Sequence, residues 1–241
     1  MKSKCNQLRF LIRLFGMRFG IYHPIDFIEF LSCSDRDIRW DAADTLSVIG
    51  DKTVVEPVFE LLQKEPDMMV AKKLVWALER GQAWDKLFIL MDFPENNIRG
   101  WAASAIAGSK QKQFITPLLS RMREYETKDY SYYRNCWVAL RGIVDDSSVQ
   151  PIMNLLSETA SNMMKGDLYH LLGYTKSSQV FDILAAELDN SDEKFRSEIV
   201  SGLVALGKED ARVSHTLQKL LLDPSKQIST LARVAIEYNG G

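Results

Sequence analysis

The chain has 241 residues, 46% hydrophobic and 26% charged, the make-up of a globular protein with one large domain or two small ones. Thirty basic side chains against 32 acidic ones give a net charge of −2, which argues against a protein built mainly to grip phosphates. The three cysteines, Cys5, Cys33 and Cys136, are too few and too scattered for a disulfide framework and fit a reducing, cytoplasmic setting. No apolar run reaches the roughly 18 residues a membrane span needs.

The chain opens on a basic segment, Met1 to Gly20, with Lys2, Lys4, Arg9, Arg13 and Arg18 and no acid. Leu8, Leu11, Ile12, Phe15 and Phe19 share one helix face, so a capping helix is predicted there, with lipid contact a minor possibility. Beyond it the chain repeats. Asp37-Ile38-Arg39-Trp40-Asp41-Ala42-Ala43 is echoed by Asn97-Ile98-Arg99-Gly100-Trp101-Ala102-Ala103, and a hydrophobe followed by a base recurs at Tyr133-Arg134, Met164-Lys165 and Phe195-Arg196. With Met69 and Ile228 as weaker members, successive anchors are 31, 29, 35, 31, 31 and 33 residues apart. Such a steady step is the mark of a repeat array.

A second motif keeps the same beat. Pro57, Pro117 and Pro151 each stand in an apolar stripe of helical period, and proline is tolerated only in a helix's first turn, so they mark three helix starts. Each repeat therefore reads as two helices. The first opens at Asp35 or Asp37, Asn96 or Asn97, Asp192, or Asp223, whose side chains can accept from exposed backbone N–H groups. It closes near Gly50, Gly81, Gly108 or Gly207. No run of period two interrupts the series, so no strand is predicted. A helix pair cannot bury its stripe alone, which makes the expected fold an all-α solenoid.

The pattern from Asp35 to Leu62 resembles HEAT-type repeats, most closely the short variety named after phycobilisome lyases, over about residues 24–238. That resemblance implies a right-handed α-α superhelix of roughly six hairpins in one domain. Residues 1–34 would cap it, 35–222 would form the repeats, and 223–241 a final half-repeat. The copy at 67–93 departs from the pattern, with Val70 or Ala71 where the base belongs and Lys86 where the proline belongs.

Signatures of catalysis are missing. His23, His170 and His215 form no His-Glu pair, which the HEAT-like iron hydroxylases require, so no metal and no cofactor is expected. No phosphate-binding glycine loop or nucleophile elbow occurs. Cys136, inside a predicted helix beside Trp137, reads as packing. Arg39, Arg99, Arg134 and Arg196 could form a phosphate ladder, but they read better as partners of acids such as Asp37 or Asp192 in a neighbouring copy. Trp40, Trp101 and Trp137 read as parts of apolar faces rather than as exposed rings for nucleic acid.

In solenoids of this type the second helices are expected to line the concave, binding face. The candidate partner-binding residues there are Glu56, Glu60, Asp85, Ser120, Arg123, Asn154 and Lys219. The long step before Tyr133 adds Tyr125, Tyr130 and Tyr132, because four of the eight tyrosines fall within residues 125–133, read as an inserted loop. The expected function is a monomeric, non-enzymatic module that grips one protein partner, with an inhibitor or immunity-type role as its specific form. A bilin lyase or chaperone-like subunit is the alternative implied by the resemblance, and DNA-damage recognition a weaker one.

Overall fold

The computed structural model describes residues 23–190, 193–207 and 210–240. The basic helix predicted over Met1–Gly20 and the cap predicted at Asp192 lie outside them. Every regular element among the described residues is helical. In chain order the α-helices are α1 (Ile28–Leu31), α2 (Arg36–Ile49), α3 (Val55–Leu62), α4 (Met68–Arg80), α5 (Trp84–Leu90), α6 (Asn96–Ser109) and α7 (Ile115–Tyr125). They continue with α8 (Tyr130–Ile143), α9 (Val149–Glu158), α10 (Asn162–Tyr174), α11 (Val180–Asn190), α12 (Glu193–Leu206), α13 (Ala211–Leu220) and α14 (Lys226–Gly240). The fold is an all-α helical repeat.

Local chemistry sets the boundaries. Asp35, Asp67, Asp129, Ser161 and Asp210 cap α2, α4, α8, α10 and α13 by accepting from backbone N–H groups of the first turn. Of the other predicted caps, α6 begins at Asn96 with Glu95 before it and no side-chain cap, and α14 starts after Ser225, whose Oγ accepts from Ile228 N. Pro57, Pro117 and Pro151 each take the third position of their helix, behind a short 3₁₀ turn. Asp51 and Asp145 hold two of these turns, accepting from Thr53 N at 2.7 Å and Ser147 N at 3.1 Å. Gly50 ends α2 at φ +68°, a left-handed position that a side chain resists.

The packing revises the repeat frame. Each proline-type helix packs on the arginine-type helix that follows it: α3 on α4, α5 on α6, α7 on α8, α9 on α10, α11 on α12 and α13 on α14. The hairpin therefore opens with the proline helix. The apolar stripe of α3, with Val58 and Leu62 fully buried, finds its complement in the next arginine-type helix, which explains the shift. The chain divides into two compact units, with the boundary in sequence at Gln111/Lys112, between hairpins. The N-terminal unit holds α1–α6 and the C-terminal unit α7–α14.

Within each unit the even-numbered helices form one layer and the odd-numbered helices the other. Helices α2 and α4 pack closely, as do α10 and α12, whereas odd-numbered neighbours barely touch. The second helices of the predicted frame thus form the more loosely packed layer. Close approach depends on missing side chains. A Cβ on Gly173 of α10 would overlap the carbonyl of Gly202 of α12, and one on Gly202 would come within 2.7 Å of the Tyr169 carbonyl oxygen.

Arginines tie one hairpin to the next by pairing with acids of the neighbouring copy, as predicted, though Asp37 is not one of these acids and Asp192 lies outside the described residues. Arg39 binds Glu65 through Nε at 2.9 Å and Nη2 at 3.0 Å, and also donates to the carbonyls of Cys33 and Ser34. Arg134 reaches Asp167 at 3.1 Å and Arg196 reaches Asp223 at 3.1 Å. Arg99 repeats the carbonyl contacts on Phe93 and Pro94. Asp37 pairs with Arg36 instead.

Two substitutions probe this frame. Arg39→Ala leaves the Glu65 carboxylate, whose side chain is only 4% exposed, without its cation. The expected loss is about 3 kcal/mol, read as a lower urea midpoint, with partial recovery when Glu65→Gln is added. Gly173→Ala should likewise cost about 3 kcal/mol by overpacking. Gly108→Ala, on an open surface of α6, should be neutral or stabilising by up to about 1 kcal/mol.

Candidate functional site

On the even-numbered layer of the N-terminal unit, tryptophans and cations interleave. Trp40 lies on α2, Trp76 on α4 and Trp101 on α6. The Lys73 ammonium sits 4.5 Å from the Trp76 ring centre and 5.5 Å from that of Trp40, and it pairs with Asp44 at 2.6 Å. Lys72 lies 5.0 Å from the Trp76 ring and 5.7 Å from that of Trp101. The cations are thereby held in fixed places over ring faces. Trp76 is 37% exposed, and beside it opens a cavity of about 650 Å³ lined by Asp44, Val48, Lys73, Trp76, Arg80 and Trp84, among others. Val48 on its rim is 66% exposed, a marked exposure for an apolar side chain.

The C-terminal unit carries a related cluster that is better covered. Arg134 and Arg141 lie 4.5 and 5.4 Å from the ring of the buried Trp137. His170 packs between Trp137 and Tyr174, each ring centre 5.3 Å away. Burial lowers the imidazole pKa from its ordinary value; Arg134 and Arg141 act in the same direction and Asp167 opposes them. Behind it the Tyr133 hydroxyl donates to Asp167 at 2.7 Å, and its burial, reinforced by that bond, raises the phenol pKa far above the usual range. Burial, together with Glu187, pushes Tyr169 up to about 12. These groups are fixed parts of the packing.

The residues singled out from the sequence fall into three places. Ser120, Arg123 and Asn154 come together along a groove of about 330 Å³ between α7 and α9, which Arg123 bridges to Glu158 at 2.6 Å. Glu56 pairs with Lys86 at 2.9 Å across α3 and α5. Glu60, Asp85 and Lys219 are exposed and stand apart on α3, α5 and α13. The predicted tyrosine loop is corrected: α7 runs on to Tyr125, and only residues 126–129 separate it from α8. The added residues continue the buried stripe of Leu118 and Met122, so the longer step lengthens a helix. Tyr125, half-buried, stacks on the buried Tyr132 with ring centres 4.0 Å apart, and Tyr130 is 60% exposed. Lys72, Trp76, Arg80 and Trp84 were not among the predicted site residues. Their signal lay in the copy that departs from the repeat pattern.

Among the described residues no cluster of His, Cys, Asp and Glu is arranged to hold a metal, and no helix is long and apolar enough to cross a membrane. No family model and no curated protein matches the chain. Solved structures do resemble it. The complex of CpcE and CpcF of phycocyanin lyase from Nostoc is 17% identical with a TM-score of 0.45, over 90% of this chain and 94% of that one. Human deoxyhypusine hydroxylase in complex with glycerol is 14% identical with a TM-score of 0.40, over 99% and 90%. An engineered protein is 16% identical with a TM-score of 0.40, over 90% and 96%. At this identity the likeness is one of fold, and lyase and hydroxylase activity belong to those proteins.

The half-buried imidazole of His170 yields a pH prediction. Its pKa falls on folding, so the unfolded chain binds the proton more readily. The stabilising contribution is complete above the unfolded value of about 6.5 and is lost as pH drops through it towards the folded value. Thermal unfolding at about pH 7.5 and about pH 5.5 should show a larger fall in Tm for the wild type than for His170→Gln.

Proposed function

We propose that this protein is a non-enzymatic binding module that holds one protein partner against the even-numbered helices of its N-terminal unit, in its specific form as an inhibitor-type binder. The observation that carries the reading is Trp76, exposed between two ammonium groups at the rim of a wide cavity. Binding surfaces concentrate their energy in rigid aromatic anchors and cations with little side-chain entropy to lose. A stack of hairpins with buried cross-ties supplies that rigidity. The groove between α7 and α9 is a poorer anchor, since its bridge joins two exposed side chains, a type of pair worth at most about 1 kcal/mol.

The test uses affinity capture from host lysate with three versions of the full chain. Wild type and the α7/α9 groove variant Ser120→Asp with Asn154→Asp should retain the same stoichiometric protein. Trp76→Ala with Val48→Asp should lose it, in line with a hot-spot cost of about 2 kcal/mol or more. Unchanged circular dichroism would show that both variants fold. Capture that survives the Trp76 change and fails with the groove variant would refute the reading.

A further inference from the structure

We infer that the partner presents an extended acidic segment to α4, with two carboxylates four residues apart and an apolar residue midway; this rests on the reading of the Trp76 face as the binding face. Lys72, Trp76 and Arg80 stand at i, i+4 and i+8 of α4 and so share one line along the helix. The two cations are about 12 Å apart along the axis, at 1.5 Å per residue. An extended peptide covers that distance in about four residues, and its alternating side chains put positions i, i+2 and i+4 on one side. An acid, an apolar residue and a second acid at those positions match Lys72, Trp76 and Arg80 in turn.

The charges on this face favour that occupant. Helices α2, α4 and α6 together hold six bases and four acids in a chain whose net charge is −2. Neither Lys72 nor Arg80 has a carboxylate partner among the described residues, and Lys72 is held in place by two rings. Two carboxylates line the cavity beside Trp76: Asp44, neutralised by Lys73 at 2.6 Å, and Glu79, whose Oε1 also faces Gly108 on α6. The apolar side chain rests on Val48, Trp76 and Trp84, the apolar part of a cavity otherwise lined by polar side chains. A nucleic-acid strand fits less well. Base stacking on Trp76 would have to displace the ammonium groups over its ring, and so short a cationic line neutralises few phosphates.

Tryptophan emission of the full chain provides the readout. The probe is a tryptophan-free heptapeptide with two glutamates four residues apart and a leucine between them. A glutamine version and a thymidine oligonucleotide serve as comparisons. The acidic peptide should bind saturably, and binding should weaken roughly tenfold with glutamine for glutamate, about 1.4 kcal/mol. Lys72→Glu with Arg80→Glu should weaken it at least as much, and added salt should weaken it further. Equal binding of both peptides, indifference to the charge reversal, or tighter binding of the oligonucleotide would each overturn the inference. Lys72→Gln with Arg80→Gln gives a milder check should the reversed variant fail to fold. If the captured partner needs Trp76 yet ignores the charge reversal, the acidic segment falls while the binding face stands; if capture does not need Trp76, the face itself falls.

Discussion

A guanidinium held against an acid of the following hairpin is the contact on which the array depends. A single helical hairpin has half a core, and its apolar stripe is covered only when a neighbour lies in the correct register. Apolar packing alone tolerates sliding. The bidentate fork of Arg39 on Glu65, and the contacts of Arg134 with Asp167 and Arg196 with Asp223, do not. Arg39 also binds the two carbonyls that precede its own helix, so one side chain fixes the loop before α2 and the loop before α4 together. These cross-ties supply specificity of register more than net stability, because desolvating a charge offsets much of its attraction.

Much of this was legible in the sequence. The prolines marked helix starts because their missing N–H is harmless only in a first turn, and the Asp cap at Asp35 followed from the same accounting of orphan donors. The phase of the repeat was not legible. A period near 31 residues states how often helices alternate but not which neighbour each one packs on, and that depends on where the complement to Val58 and Leu62 lies. The segment around Tyr125 failed for a related reason. Its extra length was visible, whereas its fate depended on Leu118, Met122 and Tyr125 continuing one stripe, a feature that an inventory of tyrosines overlooks.

The candidate site was less legible because it lies in the copy that breaks the pattern. Where other repeats place a base after the anchor hydrophobe, α4 has Val70 and Ala71 buried and carries its cations one and two positions past Ala71, at Lys72 and Lys73. That displacement moves the charge from a buried cross-tie to the surface of the even-numbered layer, where it meets Trp40, Trp76 and Trp101. Loop fixation at this point passes instead to Arg36, which reaches Asp67 at 3.1 Å from the surface. One departure from the repeat thus gives up a structural arginine and yields a cationic aromatic face.

The glycine contact between α10 and α12 has a mechanical consequence. Where Gly173 and Gly202 meet, backbone lies on backbone with no side chain between them whose rotamer could change. Sliding one helix past the other would bring main-chain atoms into direct collision, so the pair behaves as a stiff plate. The neighbouring interfaces, α8 with α10 and α12 with α14, are less extensive and are filled by side chains that can repack. Elastic compliance in the C-terminal unit is therefore concentrated at the two edges of that plate, and bending there would leave its interior undisturbed.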